Sequence, residues 1–140
     1  MRNNIFIMLF ALLVSSTVCY SQKPGIPVTK EDIAGRWTEV KRIEGENTYY
    51  AGEHPDTYIF RDNMIFHKGE SSEGVILFGV TGRYSVDGDS ILILYKDYTE
   101  RDAGKQNAKK LIFKILSLSE NEMLVLVSDY DYQYKMLLGK

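Results

Sequence analysis

The sequence predicts an all-β fold, an eight-stranded up-and-down antiparallel β-barrel with a short helical turn at its N-terminal end. Three observations carry that prediction. From Trp37 onward the apolar residues fall in short β-type runs separated by Gly, Asn, Asp and Ser clusters, which is the pattern of successive hairpins. Sequential strands joined by short turns pair antiparallel, and a sheet of eight hides its edges only by closing on itself. The tripeptide Gly35-Arg36-Trp37 opens the first strand just after a Pro-containing entry segment. There glycine lets the chain turn tightly and the indole supplies a body large enough to close one end of a small barrel.

Met1-Arg2-Asn3-Asn4 precedes an uncharged apolar stretch from Ile5 to Leu13 that fades into Val14-Ser15-Ser16-Thr17-Val18, the layout of a secretory signal peptide. The expected division is a leader over 1–21 and a barrel domain over 22–140, and the expected location is secreted or periplasmic. The lone Cys19 then leaves with the leader. Lipidation of Cys19 is the less favoured outcome, because Ser16 and Val18 stand where a leucine-like and a small residue are wanted. Without cysteine, the remaining chain has to hold together by core packing alone.

That length suits one domain and is too short for two. The formal charge of −2 becomes −3 when Arg2 is removed, a mild acidity without a basic face, which argues against nucleic acid as a partner. No later apolar run approaches the roughly 20 residues that span a bilayer.

Taken in order, Lys23 to Val28 is a stiff, non-helical lead-in, and Thr29-Lys-Glu-Asp32 has the N-cap and early acidic residues of one helical turn ending at Ile33 and Ala34. Trp37 to Ile43 is the first strand, its imperfect alternation pointing to a bulge or bend. Glu44 to Asp56 carries Gly45, Gly52 and Pro55 and reads mostly as loop. Thr57–Phe60 and Met64–His67 flank Arg61-Asp-Asn63 as a hairpin. Lys68 to Glu73 reads as loop, and Gly79 and Gly82 read as a kink between Gly74–Phe78 and Gly82–Val86. Asp87-Gly88 is the strongest hairpin signal and leads into Ile91–Tyr95.

Residues 96–110 are charged and lack apolar periodicity, a long exposed connection of the kind that is often functional. Lys110–Leu116, Met123–Val127 and Tyr132–Leu138 complete the sheet. Ile91–Tyr95 and Leu111–Leu116 are apolar on both faces, so their outer side calls for a cover, a short helix or the long loop.

The run Ile33-Ala-Gly-Arg-Trp-Thr-Glu-Val40 resembles the entry of lipocalin-like domains. So does the order that follows: Tyr58 and Phe60 before Asp62-Asn63, Gly82-x-Tyr84-x-Val86 before Asp87-Gly88, and Ile115 to Leu124 leading into the last hairpin. Together these features span nearly all of 22–140. The resemblance implies a cup-shaped calycin-type barrel that takes a small apolar molecule at its open end, with Gly35 and Trp37 closing the other end. It departs in three places. Ser128-Asp129-Tyr130 copies a family motif but reads as the final turn; Lys135 and Lys140 stand where a late arginine would cover the tryptophan; and the chain ends without a C-terminal helix.

Ten tyrosines and six phenylalanines are many for this length. Tyr58, Phe60, Tyr84, Phe113, Tyr132 and Tyr134 fall on strands, where alternation turns half of the side chains inward, and these six are the candidate ligand contacts. The plain alternative is that they fill a barrel just wide enough for its own side chains. Tyr49, Tyr50 and Tyr98 fall in expected loops, where they could gate an opening or meet a protein.

The histidines carry no nucleophile, paired acid or oxyanion turn beside them, so His54 and His67 read as structural or surface residues and no catalytic residue is assigned. His54, Asp56 and His67 lack the tight spacing of a zinc site, and Asp87-Gly-Asp89 is a turn, since Ile91, Ile93 and Tyr95 stand where calcium ligands would follow. No metal or cofactor is expected. The sequence therefore points to a non-enzymatic binder of a small hydrophobic ligand. The alternative is an envelope accessory domain that engages a protein through loops 44–56 and 96–110; catalysis would rest on fold analogy alone.

Overall fold

The computed structural model of the chain describes residues 25–73, 75–97 and 109–140. The leader read over 1–21, Tyr98 and most of the 96–110 connection lie outside them. One helical turn, α1 (Lys30–Ile33), precedes nine strands. These are β1 (Gly35–Glu44), β2 (Asn47–Tyr50), β3 (Asp56–Phe60), β4 (Ile65–Ser72), β5 (Val75–Asp87), β6 (Ser90–Asp97), β7 (Lys109–Leu118), β8 (Glu122–Asp129) and β9 (Tyr132–Gly139). Every neighbouring pair from β3 to β9 is antiparallel, and β9 pairs back onto β1, with Thr38 opposite Gly139 and Ile43 opposite Lys135.

Both β2 and β3 lie on the same edge of β1, β2 against Lys41–Glu44 and β3 against Gly35–Thr38. They are two halves of one barrel position, so nine segments make an eight-stranded closed barrel. The expected up-and-down fold is the observed one.

Local chemistry explains the ends. Asp32 accepts from both the Thr29 N–H (2.8 Å) and the Thr29 hydroxyl (3.0 Å), which fixes the start of α1. Gly88 and Gly45 both have φ +60°, the left-handed geometry that the two-residue β5–β6 and β1–β2 turns require. The segment before α1 crosses the base of the barrel, with the Ile26 N–H donating to the Ile115 carbonyl and that of Val28 to Gly88. Ile33 is fully buried there, and its carbonyl accepts from the Trp37 indole N–H at 2.8 Å. Trp37 is itself fully buried, and the Lys140 ammonium sits 5.0 Å from its ring centroid. The late lysine, not Lys135, thus takes the covering place over the indole.

Two expectations need correcting. Glu44 to Asp56 is broken by a strand: Tyr49 and Tyr50 sit on β2, paired with Arg42 and Lys41. Lys68 to Glu73 is not a loop, since β4 runs on to Ser72. The kink expected at Gly79 is found as a bulge within one continuous strand, β5: Lys68 pairs with Val80 and Gly69 with Phe78, which leaves Gly79 as the extra residue. Polar residues hid both extensions, because exposed or rim-level strand needs no apolar alternation.

Candidate functional site

Strand alternation sorts the interior into levels. At the base Ile33 and Trp37 form the plug. Across β1 from it, with Phe60 opposite Gly35 and Tyr58 opposite Trp37, lies an aromatic cluster in which Phe60 stands 5.4 Å from Phe66, 5.1 Å from Tyr84 and 6.4 Å from Phe113, centroid to centroid. Tyr58 adds edge contact with Phe113 at 5.7 Å. All five rings are at most 3% exposed, and the Tyr84 hydroxyl donates to the Arg61 carbonyl. Four of the six candidate ligand contacts, Tyr58, Phe60, Tyr84 and Phe113, are therefore brought together, packed on one another.

The other two lie higher. Tyr134 and Tyr132 share the inward side of β9 with buried Met136 and Leu138, and their rings are 5.5 Å apart near the open end. Tyr132 is about half exposed at the rim.

Around Tyr134 the interior turns polar. A register shift between Glu39 and Lys41 leaves Val40 as an extra residue in β1. It changes the parity of the strand, so that Trp37 and Glu39 before the bulge and Arg42 after it all face inward. Arg42 binds Glu39 at 3.1 Å and stacks 4.3 Å over the Tyr134 ring. On β3 and β4, Asp56 and Lys68 face each other at 3.5 Å, and the Lys68 ammonium lies 5.6 Å from the Tyr58 ring. Two ion pairs thus roof the aromatic level.

Their influence reaches the phenols. Burial first, then Asp56 and Tyr134, push the Tyr58 hydroxyl well above the usual tyrosine range, with Arg42 pulling the other way. Burial raises Tyr134 to about 12 against the same opposing guanidinium. Burial would lower Arg42, but Tyr134 and Glu39 more than offset it, so its charge is held. At the rim, a hydrogen bond to Glu44 is the chief cause that raises Tyr132.

Beside this roof, between β1, β2 and the 51–55 connection, opens a cleft of about 380 Å³. Glu39, Arg42, Glu44, Tyr49, His54 and Asp56 are among its walls, and the volume is within the range of small-ligand sites. Of the residues here the sequence singled out only His54 and Asp56 and the tyrosines; Glu39, Arg42 and Glu44 were missed, since charges on a strand look like a solvated face. The imperfect alternation of β1 was the one signal of the parity change.

Other readings separate cleanly. His67 pairs across β4 and β5 with Thr81, its Nδ1 3.3 Å from the hydroxyl, and burial followed by Arg61 lowers its pKa. Among the described residues no three His, Cys, Asp or Glu side chains converge on a metal position: His54 and Asp56 share the cleft wall, while His67 lies against Thr81. No helix among them is long and apolar enough to cross a membrane.

An antiparallel eight-stranded cylinder, closed by a base indole and open at a polar mouth, is the lipocalin-like barrel. Among solved structures the chain is similar to a lipocalin-like protein from Bacteroides uniformis, with a TM-score of 0.58 and 20% identity over 78% of this chain and 98% of that one. At that identity the likeness is one of fold. No protein-family model and no curated protein matches the chain.

Proposed function

We propose that the chain is a non-catalytic binding protein of the secreted or periplasmic space that takes a small hydrophobic ligand with a polar end at the mouth of its barrel. The observation that carries this reading is the cleft beside Arg42 and Tyr134. Because the rings below are already packed on one another, the ligand's apolar part lies on the upper tyrosines, and its polar end meets the ion-paired roof. Tyr134, under the Arg42 guanidinium, stays protonated at neutral pH, so a neutral hydroxyl stands beside the ion pair.

The test is mass spectrometry of organic extracts of the purified protein, together with titration by an anilinonaphthalene sulfonate probe. Binding that raises the melting temperature and is lost in Arg42→Ala and Tyr134→Ala supports the reading. A protein that yields no extractable molecule, and whose melting temperature the probe leaves unmoved, sinks it.

A second reading has its own observation. Tyr49, Tyr50, Tyr130 and Tyr132, all near the open end, are 48 to 84% exposed, and exposed tyrosines favour protein contacts. Under this reading the barrel is scaffold for an envelope partner. Capture of a defined partner that is abolished by exchanging residues 44–56, with probe binding unchanged, would favour it.

A further inference from the structure

The outer side of β5–β9 carries charge that the linear sequence conceals. Leu92, Leu94, Ile112, Leu124, Leu126 and Leu137 alternate with buried residues on their strands and therefore face outward. Cations stand directly across from Leu94 and Leu126. Arg83 and Lys110 flank Leu94, Lys114 and Lys135 flank Leu126, while Leu92 meets Ile112 and Leu124 meets Leu137. The acidic residues of these strands, Asp87, Asp97, Glu122 and Asp129, all occupy strand ends. In a chain of net charge −2, one flank of the barrel is thus basic and apolar at once, contrary to the expectation that no basic face exists.

We propose that this flank adsorbs to an anionic phospholipid surface. Charge complementarity selects the partner, and composition narrows it. Protein interfaces are enriched in aromatics and Arg and depleted in Lys, whereas this patch is mostly Leu and Lys and carries no aromatic residue at its centre. Lysine stems lie along apolar surface while their ammonium groups reach headgroups, and leucines between them enter the acyl boundary. β5 to β9 are paired on both sides in the closed barrel, so they offer no free edge to an added peptide strand.

The experiment is co-sedimentation of the purified chain with vesicles of mixed phosphatidylglycerol and phosphatidylcholine, against phosphatidylcholine alone. The anionic vesicles should carry the protein down, the neutral ones should not, and salt should weaken the binding. Lys110→Glu/Lys114→Glu/Lys135→Glu should lower the bound fraction at least about tenfold. The corresponding Lys→Arg variant should retain binding, and Lys→Gln replaces the charge reversal if that variant does not fold. Absence of binding to anionic vesicles overturns the proposal, as does binding indifferent to these substitutions. It is equally overturned by DNA binding as tight as that to vesicles, or by a dimer in light scattering that Lys114→Glu dissociates.

Discussion

The base and the mouth of this barrel are built from the same alternating strands, yet they solve opposite problems. At the base, Trp37, Ile33 and Leu138 are fully buried, and one hydrogen bond to the Ile33 carbonyl satisfies the indole. At the mouth, side chains on the same inward positions are charged, paired and partly wet: Glu39 with Arg42, and Asp56 with Lys68. Exposed pairs contribute little to stability, while buried rings contribute most of it. The difference teaches that the lower half holds the cylinder shut, while the upper half carries charges that closing the cylinder does not require.

The sharpest way to break that contrast is Trp37→Ala, which should cost about 3–5 kcal/mol in urea unfolding, because removal of the indole leaves a void that its neighbours fill only in part. A loss under about 1 kcal/mol would show that the base is not what closes the barrel. Arg42→Ala should cost less, about 1–2 kcal/mol by the same measurement, since it strands Glu39, whose side chain is only 12% exposed. Its larger effect should be on probe binding, which Trp37→Ala spares wherever the protein stays folded.

Smallest is an alkaline effect at the mouth. The folded-state pKa of Tyr134 is raised to about 12 from the ordinary 10. Its contribution is therefore fully present below pH 10 and is lost as pH climbs toward 12, where the unfolded chain gives up the proton first. Tyr134→Phe should flatten that decline by about 1 kcal/mol once solvent screening is allowed for, read from urea midpoints across the window. An unchanged slope would place Tyr134 in open solvent.

Much of the base was legible in the residues. A Gly-x-Trp start, a capped turn at Thr29 and the Asp87-Gly88 hairpin each have a single low-energy use, and each is found in that use. The mouth was legible only in part. Asn47–Tyr50 is exposed along its whole length, so β2 shows no apolar period. Arg42 and Glu39 face inward only because Val40 is an extra residue, and a one-residue parity change reverses every side chain beyond it. Packing of Tyr58, Phe60, Tyr84 and Phe113 on one another depends on register between distant strands, which local pattern does not encode.

The backbone that crosses the base has one more result. Ile26 is tied to Ile115, and Lys140 donates its N–H to the Asn121 carbonyl, so the described chain both arrives and departs at the plugged end. A tether or affinity tag joined after Lys140 therefore starts from the plugged base and not from the rim.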